Sequence, residues 1–102
     1  MVTRKQKGAI VMSELKKDIQ NEIAKYIDVN VYDSESWKKR SESIGSNSVC
    51  TLVAEGKLNH ILNGYIRPSG KDLTLEKLEK IAKKHGCYVE QGYAWSWHFY
   101  PV

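Results

Sequence analysis

The sequence predicts a mainly α-helical domain, four to five short helices closed by a C-terminal β-hairpin. Three observations carry this. Apolar residues recur at helical spacing in Leu15/Ile19/Ile23, Leu58/Ile61/Leu62 and Leu75/Leu78/Ile81-Ala82. Capping residues and glycines bracket those segments. The C-terminal stretch then changes to period two. A chain of 102 residues makes one domain with a modest core. Residues 13–102 are read as that domain and residues 1–12 as a flexible basic tail.

The tail carries Arg4, Lys5 and Lys7 and shows no period. Ser13 caps the first helix, with Glu14 in the first turn, where a negative charge suits the helix dipole. Leu15, Ile19, Ile23 and Tyr26-Ile27 fall on one face, so this helix runs to about Asp28. Val29-Asn30-Val31-Tyr32 is a short link or extended segment. Asp33 or Ser34 caps a second helix through Trp37 toward Ile44. Gly45-Ser46-Asn47-Ser48 has turn chemistry. Val49 to Glu55 reads as a short apolar helix broken at Gly56.

Leu58, Ile61 and Leu62 give the next helix a narrow buried stripe. Asn63 or Gly64 takes the left-handed position at its end. Thr74 caps the last helix, Leu75, Leu78, Ile81 and Ala82 bury one side of it, and Gly86 closes it. From Tyr93 the odd positions are Tyr93, Trp95, Trp97 and Phe99, an aromatic strand face that serves the core or an interface. Cys87 to Glu90 is its hairpin partner across Gln91-Gly92.

The segment Lys57 to Gly86 resembles the back half of the helix-turn-helix in the Cro/repressor-like (XRE-type) family. The carrying residues are the Asn63-Gly64 stop, Pro68 four positions past that glycine, and Leu78-Glu79-Lys80-Ile81-Ala82 in the following helix. The connector is lengthened by Gly70 to Thr74, and the family's L-A-x-x-x-G is compressed to Leu52, Ala54 and Gly56. A second register puts the turn at Ile44-Gly45-Ser46 and the recognition helix at 47–55. The resemblance implies a small helix-turn-helix bundle and a sequence-specific regulator that binds duplex DNA, with a two-fold homodimer matching a palindromic site.

On that reading Lys57, Asn59, His60 and Asn63 project from the recognition helix. Asparagine reads adenine through two hydrogen bonds, and lysine donates to guanine or phosphate. Tyr65, Arg67, Ser69 and Lys71 line the connector next to the phosphate backbone. Lys38, Lys39 and Arg40 form a secondary phosphate-contacting run, and Arg4, Lys5 and Lys7 a basic arm. The alternative is a protein-binding module, an inhibitor or antitoxin, that grips a protein partner with its aromatic hairpin.

The balance of +4 with pI ≈ 9.1 favours a polyanionic partner. No apolar run approaches the ~20 residues a membrane helix needs, so a cytoplasmic chain is expected. Cys50 and Cys87 form no CxxC pair and read as reduced core thiols. His60, His85 and His98 have no ligand spacing, so no metal is expected. With no P-loop, GxGxxG or nucleophile elbow, no cofactor or enzyme chemistry is expected either.

Overall fold

The computed structural model describes the backbone of residues 4–102 and the side chains of residues 13–102. Among these residues the order is α1 (Arg4–Ile23), β1 (Val29–Asp33), α2 (Ser34–Lys38), β2 (Cys50–Ala54), α3 (Gly56–Leu62), α4 (Leu75–Lys84), β3 (Cys87–Gln91) and β4 (Ser96–Pro101). The strands form one antiparallel sheet in the order β1-β2-β4-β3. The fold is therefore mixed α/β, which corrects the expected mainly helical bundle with a lone hairpin.

The segment read as a helix at 49–55 is β2. Its β-branched Thr51 and Val53 suit a pleated surface. Cys50, Leu52 and Ala54 face one side of the sheet and Thr51 the other, and all four are buried. A strand covered on both faces shows no polar alternation, so it reads like a buried helix. With β2 in place, a strand rather than a helix precedes α3, and there is no helix-turn-helix in either register.

The first sheet face packs on the helices. Register places Val29 and Val31 of β1, Cys50, Leu52 and Ala54 of β2, Trp97 and Phe99 of β4, and Cys87 and Val89 of β3 on it. Leu15, Ile19 and Ile23 of α1 meet this face together with Leu58 and Leu62 of α3 and Leu78 and Ala82 of α4. Trp97 is fully enclosed, and its indole Nε1 has no hydrogen-bond partner among the described residues. Both cysteines are free and buried, and burial pushes the Cys50 thiol up to about 12.

The second face is closed by α2 and the loop after it. Trp37 is buried there, donates its indole N–H to the Ile44 carbonyl at 2.9 Å, and lies edge-on to His98 at 5.3 Å. Beneath it runs a buried polar chain. Ser48 Oγ meets the Gly45 carbonyl at 2.7 Å and Thr51 Oγ1 at 3.0 Å. Thr51 Oγ1 meets His98 Nδ1 at 2.9 Å, and His98 Nε2 meets Ser96 Oγ at 2.9 Å.

Helix α1 begins at Arg4, not at Ser13, so the expected tail is helical from Arg4 onward. It stops at Ile23, and Ile27, expected on its apolar face, is 80% exposed beside Asp28 at φ 58°. Asp33 does cap α2, accepting from the Ser36 N–H at 2.8 Å, but α2 ends at Lys38, well short of Ile44. Thr74 caps α4 by accepting from the Lys77 N–H at 3.2 Å, and Gly64 takes φ 79° after α3. Strand β4 starts at Ser96; Tyr93 and Trp95 belong to the preceding turn and stack on each other at 4.7 Å. Trp95 also faces Trp37 at 6.3 Å, so these two rings do not share the core face of Trp97 and Phe99.

Candidate functional site

Helix α3 and the connector to α4 divide the expected site residues into two groups. The first is turned inward. Asn59 Nδ2 donates to the carbonyls of Ala54 at 3.0 Å and Ala94 at 3.1 Å. Asn63 Nδ2 donates to Ala94 O at 2.9 Å and to Asn59 Oδ1 at 3.1 Å, and Asn63 Oδ1 accepts from Gln91 Nε2 at 2.8 Å. The Ala94 carbonyl, at the β3–β4 turn, thus collects α3. Both amides are committed to holding the helix against the sheet, so neither has the pair of free groups that reading adenine requires. Their position was legible in part: Asn59 and Asn63 border the apolar stripe of Leu58 and Leu62 rather than opposing it.

The second group faces solvent. Lys57, His60, Tyr65, Arg67 and Lys71 are all exposed. His60 and Tyr65 meet edge to face at 6.0 Å, and Tyr65 is 74% exposed. Arg67 and the Lys71 ammonium make no hydrogen bond or ion pair among the described residues.

Ser69 belongs to neither group, because it shapes the connector. Its N–H and Oγ donate to Asp72 Oδ2 at 2.9 and 3.2 Å, while the Asp72 N–H returns to the Ser69 carbonyl at 3.1 Å. Asp72 Oδ1 accepts from Tyr26 OH at 2.9 Å, and that phenol oxygen accepts from the Leu73 N–H at 2.9 Å. The Ser69 N–H and then the Tyr26 hydroxyl hold the Asp72 carboxyl well below the usual range, at about 2. Burial is the main cause that raises the Tyr26 phenol.

Cations surround this turn. Lys57 Nζ is 3.6 Å from Asp72 Oδ1. Lys77 Nζ donates to the carbonyls of Gly70 at 2.9 Å and Asp72 at 2.7 Å, and Lys25 Nζ donates to the Lys71 carbonyl. Lys25, Tyr26, Asp72 and Lys77 did not emerge from the sequence as site residues. Tyr26 and Asp72 are distant in the chain, and no local pattern links them.

The remaining candidates lie elsewhere. Lys38 and Lys39 are exposed at the end of α2. The Arg40 guanidinium lies over the rings of Tyr32 and Trp37 at 5.2 and 5.3 Å and 3.8 Å from Glu42, so it is engaged within the chain. Arg4, Lys5 and Lys7 lie on α1, with side chains outside the described residues.

A cleft of about 380 Å3 opens between α1 and α4, lined by Asp18, Asn21, Glu22, Lys80, Ile81 and Lys84. Asp18, Lys80 and Lys84 among its charges are paired. Asp18 Oδ2 accepts from His85 Nε2 at 2.7 Å and lies 3.3 Å from Lys84 Nζ; the histidine bond is the largest cause that lowers its pKa. No group of three or more potential metal ligands occurs among the described residues, and no helix there is long and apolar enough to cross a membrane.

No protein-family model matches the chain, and no curated protein or solved structure is significantly similar to it.

Proposed function

We propose that the chain binds nucleic acid by its phosphate backbone, through the surface formed by the end of α1, the start of α3 and the α3–α4 connector. One observation carries the reading. Lys25, Lys57 and Lys77 bond to a turn whose carboxylate, Asp72, is only 7% exposed and already saturated with hydrogen bonds, and the exposed Arg67 and Lys71 lie beside that turn along the chain. Glu22 acts on Tyr26 nearby but leaves the surplus positive. The turn is rigidly tied, so Lys25, Lys57 and Lys77, which bond to it, are held in place before a ligand arrives. Phosphate contacts position a protein without reading sequence. The reading therefore keeps the polyanionic partner and duplex DNA as ligand, and gives up base recognition by Asn59 and Asn63.

The test is binding of a fluorescent duplex across a salt series. Affinity should fall steeply with salt, and Arg67→Ala and Lys71→Ala should each make the log–log slope shallower by about one unit on every sequence tested. If wild-type protein shows no binding at low salt, or if neither substitution changes the slope, the surface is not a phosphate site.

A further inference from the structure

We infer that this surface takes an unpaired nucleotide, its base stacked on Tyr65 and its flanking phosphates on Lys57 and Arg67; the inference rests on the phosphate-binding reading above. Tyr65 is among the most exposed large side chains of the described residues, at 74%. It is not mounted on a loose loop. Its N–H donates to the His60 carbonyl at 2.8 Å, and the preceding Gly64 N–H donates to Ile61 O at 3.1 Å with Gly64 at φ 79°. The edge-to-face contact with His60 braces the ring. No other aromatic pairing or cation contact engages the ring among the described residues, so it offers area for a planar partner.

Two cations flank it along the chain, Lys57, whose ammonium lies 3.6 Å from Asp72 Oδ1 on a largely exposed side chain, and Arg67. Lys57 lies one helical turn before His60 on the same exposed stripe of α3. Arg67 follows Tyr65 by two residues, and Pro68 then restricts the backbone. An exposed ring between positive charges is the arrangement that binds single strands, because every base has a face to stack while the phosphates need only charge. Bases inside a duplex are already stacked on their neighbours and cannot use the ring. Ligands with at least one unpaired base are therefore preferred over continuous duplex of equal charge.

The experiment compares three labelled probes of about a dozen nucleotides at low salt: oligo-dT, an abasic strand of equal length, and a blunt duplex. Oligo-dT should bind the wild-type chain about tenfold more tightly than the abasic strand, within the range that one stacked base supplies. It should also outbind the duplex. Tyr65→Ala should reduce oligo-dT binding to the abasic level while leaving the melting temperature unchanged, as expected for an exposed side chain. Tyr65→Phe should retain the preference, since the ring and not the hydroxyl is used. If the probes bind alike and Tyr65→Ala has no effect, the stacking site is refuted and the phosphate reading stands. If none of the probes binds, both are refuted.

Discussion

His98 Nδ1 donates its hydrogen to Thr51 Oγ1 across 2.9 Å, and the direction of that bond follows from its neighbours. A carbonyl only accepts, so Ser48 Oγ must donate to Gly45 O. Ser48 must then accept from Thr51, and Thr51 from the imidazole. On the other side, Ser96 Oγ accepts from the Tyr93 N–H at 2.8 Å and has its own hydrogen left for His98 Nε2. The chain of bonds thus has one polarity and suits the neutral imidazole. A protonated ring would have to donate at Nε2 and leave the serine hydrogen without an acceptor.

Acid should weaken the fold through this residue. Burial pushes the His98 imidazole from 6.5 down to about 4. Between those values the unfolded chain binds more protons than the folded one, so stability rises with pH there. The contribution is intact above about 6.5 and is lost as pH falls toward 4, by roughly 3 kcal/mol in all. Urea unfolding at a series of pH values should show this slope. His98→Gln should lower stability at neutral pH but flatten the slope across the same window; an unchanged slope would count against the assignment.

Two glycines should respond differently to the same substitution. A Cβ on Gly92 would stand 2.5 Å from both His98 Nε2 and Ile44 Cγ2. Gly92→Ala should therefore cost about 1–3 kcal/mol through overpacking. Gly64 has open space around its Cβ position but φ 79°, so Gly64→Ala should cost only the backbone strain, about 1 kcal/mol. Thermal melts of the two variants decide the order.

Asn59→Ala should act on stability before it acts on any ligand. Removing the amide leaves the Ala54 carbonyl without this donor and weakens the hold of Ala94 on α3. The expected loss is about 1–3 kcal/mol. Where the variant remains folded, its affinity for duplex of differing sequence should change uniformly. A change confined to one base pair, with stability unaltered, would restore the base-reading role.

The tryptophans separate in the same manner. Trp97 is fully buried in the main core, and Trp97→Ala should cost roughly 3–5 kcal/mol. Trp97→Phe should cost far less than that, because it also removes the unpartnered indole N–H. Trp95, half-buried in the turn, should lose much less on truncation than Trp97. Equal losses for Trp95→Ala and Trp97→Ala would contradict the placement of their rings on opposite sides of the sheet.

Local chemistry was legible and tertiary chemistry was not. Thr74 was legible outright, and the cap of α2 and the left-handed residue after α3 were each narrowed to a pair, Asp33 or Ser34 and Asn63 or Gly64, because a cap or a left-handed turn depends on a few neighbouring atoms. The face of Leu15, Ile19 and Ile23 was read from spacing alone. Strand β2 was misread because both of its faces are covered, and only its partners β1 and β4 reveal it. Tyr93 and Trp95 share the parity of Trp97 and Phe99, but parity places side chains only while the backbone stays extended, and a turn intervenes. The Asn59 amide could serve a base or a backbone carbonyl equally well. Only the position of Ala94, brought alongside by the hairpin, shows which.

The sheet order has a consequence for synthesis on the ribosome. Strand β4 lies between β2 and β3, so β2 has no inner neighbour until residues 96–101 have been made. A nascent chain that has emerged only as far as Gly86 contains β1, β2 and the helices, but Cys50 and Leu52 still lack Phe99 and Trp97. For that interval the strand presents an open edge beside an uncovered apolar face. Until residues 87–101 are free to pair, that edge of β2 is open to a strand from elsewhere.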